Sequence, residues 1–259
     1  MQSIKSVEKA IDILSCFTIE TPSLTVTEIS FLTGFNQSTV SRILATLEKK
    51  KCVERETPGG KYRLGVKFHQ WKSILSKEAG IADLAKPVME KLRDACGEEV
   101  TLYVPGEGNR ICVQAVRSRY GVAKVTQLGK ILPLHCGASG KVLLAHLPEK
   151  VRKEIICGRP LEKYTTQTIT DPVELETDLE KIRQNGYAVS VGEREDGTYS
   201  VVAPVLGKKG KIVASLCISG PIFRFSEQEK PNLVMAVLGA AKEISTTLGS
   251  SERDEGSRA

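Results

Sequence analysis

The chain has 259 residues, of which 37 are lysine or arginine and 31 are aspartate or glutamate, and its formal net charge is +6. This length is ample for two domains, and a 41% hydrophobic content is typical of a globular protein rather than a disordered one. No apolar run reaches the ~20 residues of a membrane span, and the start of the chain shows no signal-peptide core. We therefore expect a cytoplasmic protein with no membrane partner.

Apolar residues near the start of the chain recur at helical spacing and predict a first helix. The stripe consists of Ile4, Val7, Ile11, Leu14 and Phe17. With the two helices predicted after it, this helix would complete the core of a small three-helix module.

A helix, a tight turn and a second helix are predicted from residue 25 onward. Thr25 and Glu28 have the spacing of a capping box, Gly34 ends the first of these helices, and Asn36 caps the second. The core face of the second helix consists of Val40, Ile43, Leu44 and Leu47. Its opposite face carries small hydrogen-bonding groups and positive charge, as contacts with base edges and phosphates in a major groove require.

A basic hairpin is predicted directly after the second helix. Its two runs are 52–56 and 61–64, joined by Thr57-Pro58-Gly59-Gly60. Residues 34–72 contain nine lysines or arginines and three glutamates, so this segment alone has a net charge of 9 − 3 = +6 and the rest of the chain sums to zero. A charge excess confined to one motif favours a polyanion-binding surface. The candidate DNA contacts are Thr25, Gln37, Ser38, Thr39, Ser41, Arg42, Thr46, Lys49, Lys61 and Arg63.

These motifs resemble the amino-terminal domain of the IclR family of bacterial transcription regulators. The resemblance is carried by residues 6–14, by the helix-turn-helix of residues 24–47 and by Lys61-Tyr62-Arg63-Leu64-Gly65, and it continues to about Leu248. It implies a winged helix-turn-helix followed by a GAF-like effector-binding domain. It further implies a homodimer or homotetramer that binds a double-stranded DNA operator under the control of a small organic acid or aromatic carboxylate, without a cofactor.

The rest of the chain predicts an α+β domain built from helices and antiparallel hairpins. The predicted domains are residues 1–65 for the winged helix-turn-helix, 66–80 for a linker helix, 81–249 for the effector-binding domain and 250–259 for a disordered tail. Predicted strands cover residues 100–104, 110–116, 122–127, 187–191, 200–206 and 211–219. Predicted helices cover residues 81–95, 139–146, 148–156, 172–184 and 226–248.

Three segments of this domain are candidates for a ligand site. Small residues open the helix near residue 138, where unsatisfied backbone N–H groups suit a carboxylate. A Walker A loop would need glycine at His135, and a nucleophile elbow would need glycine at Lys141, so neither pattern is present. The other two segments are the charged loop 192–197 and the strand 215–219, whose alternation places Ser215, Cys217 and Ser219 on one face.

The resemblance assigns effector contacts within these segments. It implies that Ala138 and Ser139 donate from the backbone, and that side chains contribute from Ser190, Ser200, Cys217 and Ser219. Ser190 stands where relatives often have an acidic residue, and Ser200 stands where they often have cysteine.

Two other classes of function are weighed against a regulator. A cysteine-dependent hydrolase would pair Cys217 with His135 or His146, but no catalytic signature surrounds them. The histidines and the seven cysteines show no metal-ligand spacing, so no catalytic residue, metal site or cofactor is predicted. A ligand-binding or protein-interaction module, in which the winged helix docks another protein, is the principal alternative.

Overall fold

The computed structural model describes the backbone of residues 3–18, 20–56, 59–71, 80–158 and 160–256, and side chains in these ranges as far as residue 249. The chain divides into two compact units between Gly80 and Ile81.

The described part of the amino-terminal unit begins with three helices and a small antiparallel sheet, and a further helix follows the sheet. The helices are α1 (Lys5–Ser15), α2 (Val26–Thr33) and α3 (Gln37–Lys49), and the strands are β1 (Ser23–Leu24), β2 (Val53–Arg55) and β3 (Tyr62–Leu64). The strand order is β1-β3-β2, and β2 and β3 form the predicted hairpin, with Glu54 opposite Arg63. The predicted turn residues Thr57 and Pro58 lie outside the described residues.

Local signals fix the ends of the helix-turn-helix as predicted. The Thr25 hydroxyl accepts a hydrogen bond from the Glu28 N–H at 3.2 Å, and the Glu28 carboxylate accepts one from the Thr25 N–H at 2.7 Å. Gly34 ends α2 in the left-handed region at φ 71°, which suits glycine because it has no Cβ. Asn36 then caps α3 by accepting from the Thr39 N–H at 2.9 Å.

The apolar stripe predicted for α1 is only partly a core face. Ile13, which is not part of that stripe, is completely buried among the residues of α2 and α3. Ile4, Val7 and Ile11 are instead 68%, 55% and 56% exposed. Helical spacing identified an apolar face correctly, but only its Leu14 and Phe17 end packs against this unit's core.

The helix predicted after the hairpin begins within the described residues. Residues 67–71 are helical, and residues 72–79 of the predicted linker lie outside the described ranges. Trp71 is 43% exposed and packs edge-on against Phe68, with ring centroids 5.4 Å apart.

The second unit is a six-stranded antiparallel sheet with helices on both faces, as the predicted α+β class requires. Its strands are β4 (Glu99–Pro105), β5 (Asn109–Val116), β6 (Ile131–Pro133), β7 (Ala188–Val191), β8 (Thr198–Leu206) and β9 (Ile212–Pro221). Its helices are α4 (Ile81–Cys96), α5 (Ala138–Ala145), α6 (Glu149–Cys157), α7 (Pro172–Asn185) and α8 (Lys230–Gly256). The strand order is β6-β5-β4-β9-β8-β7.

Two apolar clusters separate the layers of this unit. Helices α4 and α8 cover one sheet face, where Met89, Leu216 and Ile244 are buried together. Helices α5 and α7 cover the other face, where Leu143, Leu179 and Cys217 are buried together. The predicted alternation along β9 is confirmed, because Leu216 and Cys217 belong to opposite faces of the sheet.

One predicted strand of this unit is wrong, and the bounds of one predicted helix are wrong. Residues 122–127 form no strand, although three of them (Val122, Val125 and Thr126) are β-branched. The Thr126 N–H donates instead to the Glu99 carboxylate at 2.7 Å. The edge strand of the sheet is β6, a few residues further along. The last helix starts at Lys230 rather than residue 226 and continues to Gly256, through most of the segment predicted as a disordered tail.

Candidate DNA-binding surface and effector cavity

Helix α3 has one face that packs in the core and one face that is open. Val40 and Leu44 are fully buried in the core of the amino-terminal unit. The exposed residues of α3 include six of the predicted DNA contacts, namely Gln37, Ser38, Ser41, Arg42, Thr46 and Lys49, while Thr39 is half-buried. The open face therefore presents hydrogen-bonding groups and two cations without a large apolar side chain.

Thr25 and Arg63 already have partners within the amino-terminal unit. The Thr25 hydroxyl donates to the Glu28 carboxylate at 2.8 Å, and hydrogen bonds from the Thr25 backbone and side chain lower the pKa of Glu28. Arg63 forms an ion pair with Glu54 across the hairpin at 3.2 Å, whereas Lys61 is exposed.

The structure adds two cations that sequence reasoning did not select. Lys5 and Lys9 of α1 line an open groove of about 410 Å³ with Thr39, Arg42 and Thr46 of α3. Lys9 also lies 5.2 Å from the centre of the Phe35 ring. The spacing of the two lysines, one helical turn apart, is a sequence signal that their shared face carries positive charge.

A second groove of this unit is apolar. It has a volume of about 660 Å³ and is lined by the exposed side of α1, by Leu64 and by Phe68 and Trp71. Val7 and Ile11, two of the three stripe residues that do not pack in the core, lie in its wall.

In the second unit, five of the six predicted effector contacts line one small cavity. Ala138, Ser139, Ser190, Ser200 and Cys217 surround a space of about 20 Å³ at the start of α5. Ser219 does not line this cavity. It is 2% exposed, and its hydroxyl lies 3.5 Å from the Glu99 carboxylate.

The start of α5 is built to bring backbone donors to the cavity. Gly137 precedes the helix with φ 77°, a left-handed value that glycine adopts without strain. The Ala138 N–H donates to the Ser190 hydroxyl at 3.1 Å, which joins the helix start to β7. Two residues into the helix, Gly140 lies so close to the Leu134 carbonyl that a Cβ at this position would be 2.5 Å from its oxygen.

The cavity is lined by three cationic side chains. Arg110, Lys124 and Arg194 all line it. Arg194 belongs to the charged loop 192–197 that was predicted as a candidate segment, whereas Arg110 and Lys124 were not predicted. Arg110 donates to the Cys136 carbonyl at 3.0 Å and also to the Pro133 carbonyl, and its guanidinium lies 5.4 Å from the centre of the Tyr103 ring. Burial lowers the pKa of both Arg110 and Lys124.

Behind the cavity, a buried ion cluster holds the charged loop in place. The Lys141 ammonium is 2.8 Å from carboxylate oxygens of both Asp178 and Glu193. Burial alone would lower the pKa of Lys141, but these two carboxylates outweigh it and raise the pKa. The cluster therefore links α5 and α7 to the loop that carries Arg194.

The groups required for a cysteine hydrolase are not brought together in the described structure. The ring nitrogens of His135 and His146 are within hydrogen-bond distance of the Glu162 and Val142 carbonyls, respectively, rather than of Cys217. Burial raises the pKa of Cys112 to about 12 and of Cys136 to about 11, which keeps both thiols protonated near neutral pH.

Within the described residues, no group of three or more potential metal ligands was found, and no helix is long and apolar enough to cross a membrane.

An open cationic helix-turn-helix in one unit and an enclosed polar cavity in the other define a class of protein, the one-component transcriptional regulator. The chain belongs to the IclR family of bacterial transcriptional regulators. The model of the IclR helix-turn-helix domain matches residues 6–57, and that of the bacterial transcriptional regulator IclR C-terminal domain matches residues 74–246.

Individual members and homologues of the family are similar to this chain over nearly its whole length. The transcriptional regulator KipR of Bacillus subtilis is 32% identical over 245 residues, which cover 95% of this chain and 97% of KipR. The crystal structure of the Thermotoga maritima IclR is 30% identical with a TM-score of 0.74 and covers 95% of this chain and all of that one. An IclR homologue from Microbacterium hydrocarbonoxydans, crystallised with 4-hydroxybenzoate, has a TM-score of 0.83 at 24% identity over 94% of this chain and 98% of that one.

Proposed function

We propose that this regulator binds operator DNA through the open face of α3 and that a small organic acid in the cavity at the start of α5 modulates this binding. The observation that carries the proposal is the two-sided character of α3. Val40 and Leu44 lock one side in the core, so Arg42 and its polar neighbours are held outward on a rigid element.

Two further regions extend the proposed DNA surface. They are the β2–β3 hairpin, which forms the wing, and the open groove between α1 and α3. Lys61 on the wing and Lys5 and Lys9 beside α3 carry exposed or half-buried ammonium groups that suit backbone phosphates. Contacts of this kind position the protein on the duplex, while side chains on α3 contact the base edges.

Dimerisation through the amino-terminal unit forms part of the proposal. The apolar groove beside α1 leaves Val7, Ile11 and Trp71 open to solvent, and such surfaces mark interaction sites. A second copy would cover them and place two α3 helices on the half-sites of a near-palindromic operator. Sedimentation equilibrium of the full chain tests this arrangement, and a monomeric mass would contradict it.

The effector is expected to be an organic acid because backbone N–H groups and cations surround the cavity. A ligand in the cavity changes operator affinity only to the extent that it prefers one arrangement of the DNA-binding units over another. The 4-hydroxybenzoate bound to the Microbacterium homologue is a precedent for a carboxylate ligand in this fold.

Operator binding by the full chain tests the DNA surface. Arg42→Ala should weaken binding to the chain's own upstream DNA by about 1–3 kcal/mol, which corresponds to a loss of affinity of roughly fivefold to 150-fold. Lys163→Ala removes an exposed cation from the second unit and serves as the matched control. Both affinities are measured by fluorescence anisotropy at several salt concentrations.

Equal affinities of the two variants would place the DNA surface elsewhere. If the wild-type chain does not prefer its upstream DNA over random duplex at moderate salt, the proposed regulator function fails altogether. In that case a winged helix that docks another protein becomes the better hypothesis.

A further inference from the structure

The effector cavity contains positive charge that its surroundings do not neutralise. Of the three cations that line it, Arg194 is paired with Glu195 at 2.9 Å. Among the described residues, no carboxylate lies within ion-pair distance of Arg110 or Lys124. The remaining acidic residue in the cavity wall, Glu193, is already bound to Lys141 at 2.8 Å.

Arg110 is a buried cation with an unsatisfied hydrogen-bond donor. Its side chain belongs to a residue that is only 3% exposed, and its Nε is buried without a hydrogen-bond partner. A buried charged donor in this state is unfavourable unless a further acceptor is supplied. Since two carbonyl groups already hold Nη1, the guanidinium is fixed in position and its remaining donors are oriented in advance.

The location of Arg110 adds to the requirement for an anion. Its Nη2 lies beside Gly137, where an added Cβ would be 3.6 Å from it, directly before the first turn of α5. The amino-terminal end of a helix carries partial positive charge, so a guanidinium there is repelled by the helix dipole. An anion between the two would be attracted by both.

Lys124 supplies a second, separate positive charge to the same space. It lies on the irregular segment 122–127, which was predicted as a strand. Lys124 and Arg110 line the cavity together with Cys217, whose thiol is close enough to affect the pKa of both cations. Glu195 and Glu99 act on Lys124 only from beyond ion-pair distance. Glu195 is paired with Arg194, and the Glu99 carboxylate accepts hydrogen bonds from Thr126. One monocarboxylate therefore leaves one of the two cations uncompensated.

The size of the cavity favours a compact ligand. A space of about 20 Å³ holds roughly one or two water molecules, so any organic acid enters only after the cavity walls move apart, and an aromatic ring requires the largest movement. A ligand with charge at both ends and few atoms between them requires less rearrangement.

We propose that the effector of this chain is a short-chain dicarboxylate, with one carboxylate held between Arg110 and the start of α5 and the other at Lys124. This inference rests on the proposed effector role of the cavity and narrows its ligand from organic acids in general to dianions.

Matched pairs of ligands that differ in one charge test the inference. Isothermal titration calorimetry of the full chain, at constant ionic strength, compares succinate with its monoamide succinamate and malonate with malonamate. At least one dianion should bind at least about tenfold more tightly than its monoamide, because the amide cannot pair with the second cation. Lys124→Gln should abolish this preference, while Lys130→Gln, which alters a nearby exposed lysine, should retain it.

Three results would overturn the inference. They are equal affinity for dianion and monoamide, an unchanged preference in Lys124→Gln, and no binding of any of these probes at millimolar concentration to a folded chain. Operator binding by the same preparation is measured in parallel. If a monocarboxylate or 4-hydroxybenzoate alters that binding, the proposed function survives and only the dianion fails.

Discussion

The two candidate sites both rely on cations, but they keep them in opposite surroundings. Arg42, Lys49 and Lys61 on the proposed DNA surface are exposed, so water and salt screen their charge and an unpaired cation there costs little free energy. Arg110 in the effector cavity is 3% exposed, and burial lowers its pKa. The same type of side chain is thus ready for a large, solvated polyanion in one unit and for a small, desolvated anion in the other.

This difference predicts where substitutions act. Exposed cations contribute little to folding, so their loss should appear in DNA affinity and in its dependence on salt. The cavity is closed and its parts touch one another, so a change there should appear first in stability. The following predictions test that contrast. They begin with the effector cavity, here called the closed site, and continue with the proposed DNA surface on α3 and the hairpin, here called the open site.

Gly140→Ala should cause the largest loss of stability. The new Cβ would lie 2.5 Å from the Leu134 carbonyl oxygen and 2.8 Å from the Pro133 carbonyl oxygen, with Arg110 also in contact. Since two of these neighbours are backbone, we expect a loss of roughly 3 kcal/mol and a fall of about 6–12 °C in the calorimetric midpoint of the second unit.

Gly239→Ala provides a control with the same chemical change. This glycine lies in α8 with no atom within 4 Å of the added Cβ, so the substitution should stabilise by about 0.5–1 kcal/mol. If Gly140→Ala behaves like its control, the closed packing at the start of α5 is not as the structure has it.

Asn36→Ala should have a smaller effect, confined to the open site. Its side-chain oxygen caps α3 by accepting from the Thr39 N–H at 2.9 Å and from the Ser38 hydroxyl at 3.0 Å. Loss of such a cap costs about 1 kcal/mol, which corresponds to roughly fivefold faster amide hydrogen exchange in α3 of the full chain. Asn36→Ser keeps a capping oxygen and should retain the protection; similar exchange in both variants would argue against the cap.

The open site could be predicted from sequence because its determinants are local. Thr25, Gly34 and Asn36 fix helix ends within a few residues, and the basic hairpin follows α3 directly. The same local signals located the starts of α5 and α7, and strand alternation placed Cys217 on the correct sheet face.

The charge of the closed site could not be predicted in this way. Arg110 reaches the start of α5 because β5 pairs with β6, and Lys124 lines the same cavity from a β-branched segment that forms no strand. Ser219 shares a sheet face with Cys217, yet it lies two residues further along β9, beside Glu99. Similarly, spacing showed that α1 has an apolar stripe but did not show what the stripe contacts.

Glu54→Gln should change stability least and tests whether the wing contributes to the open surface. The Arg63–Glu54 pair is solvent-exposed, with side chains 57% and 38% accessible, so its loss should cost no more than about 0.5 kcal/mol. The glutamine oxygen can still accept the Val66 N–H that Glu54 binds at 3.2 Å, which preserves the other role of this side chain.

The same variant should nevertheless bind operator DNA more tightly. Removing the carboxylate releases Arg63 and deletes a negative charge that would repel phosphates. If Arg63 then takes one additional phosphate, the slope of log affinity against log salt becomes steeper by about 0.9. An unchanged slope together with unchanged stability would mean that Arg63 does not reach the DNA, and the wing contacts would reduce to Lys61.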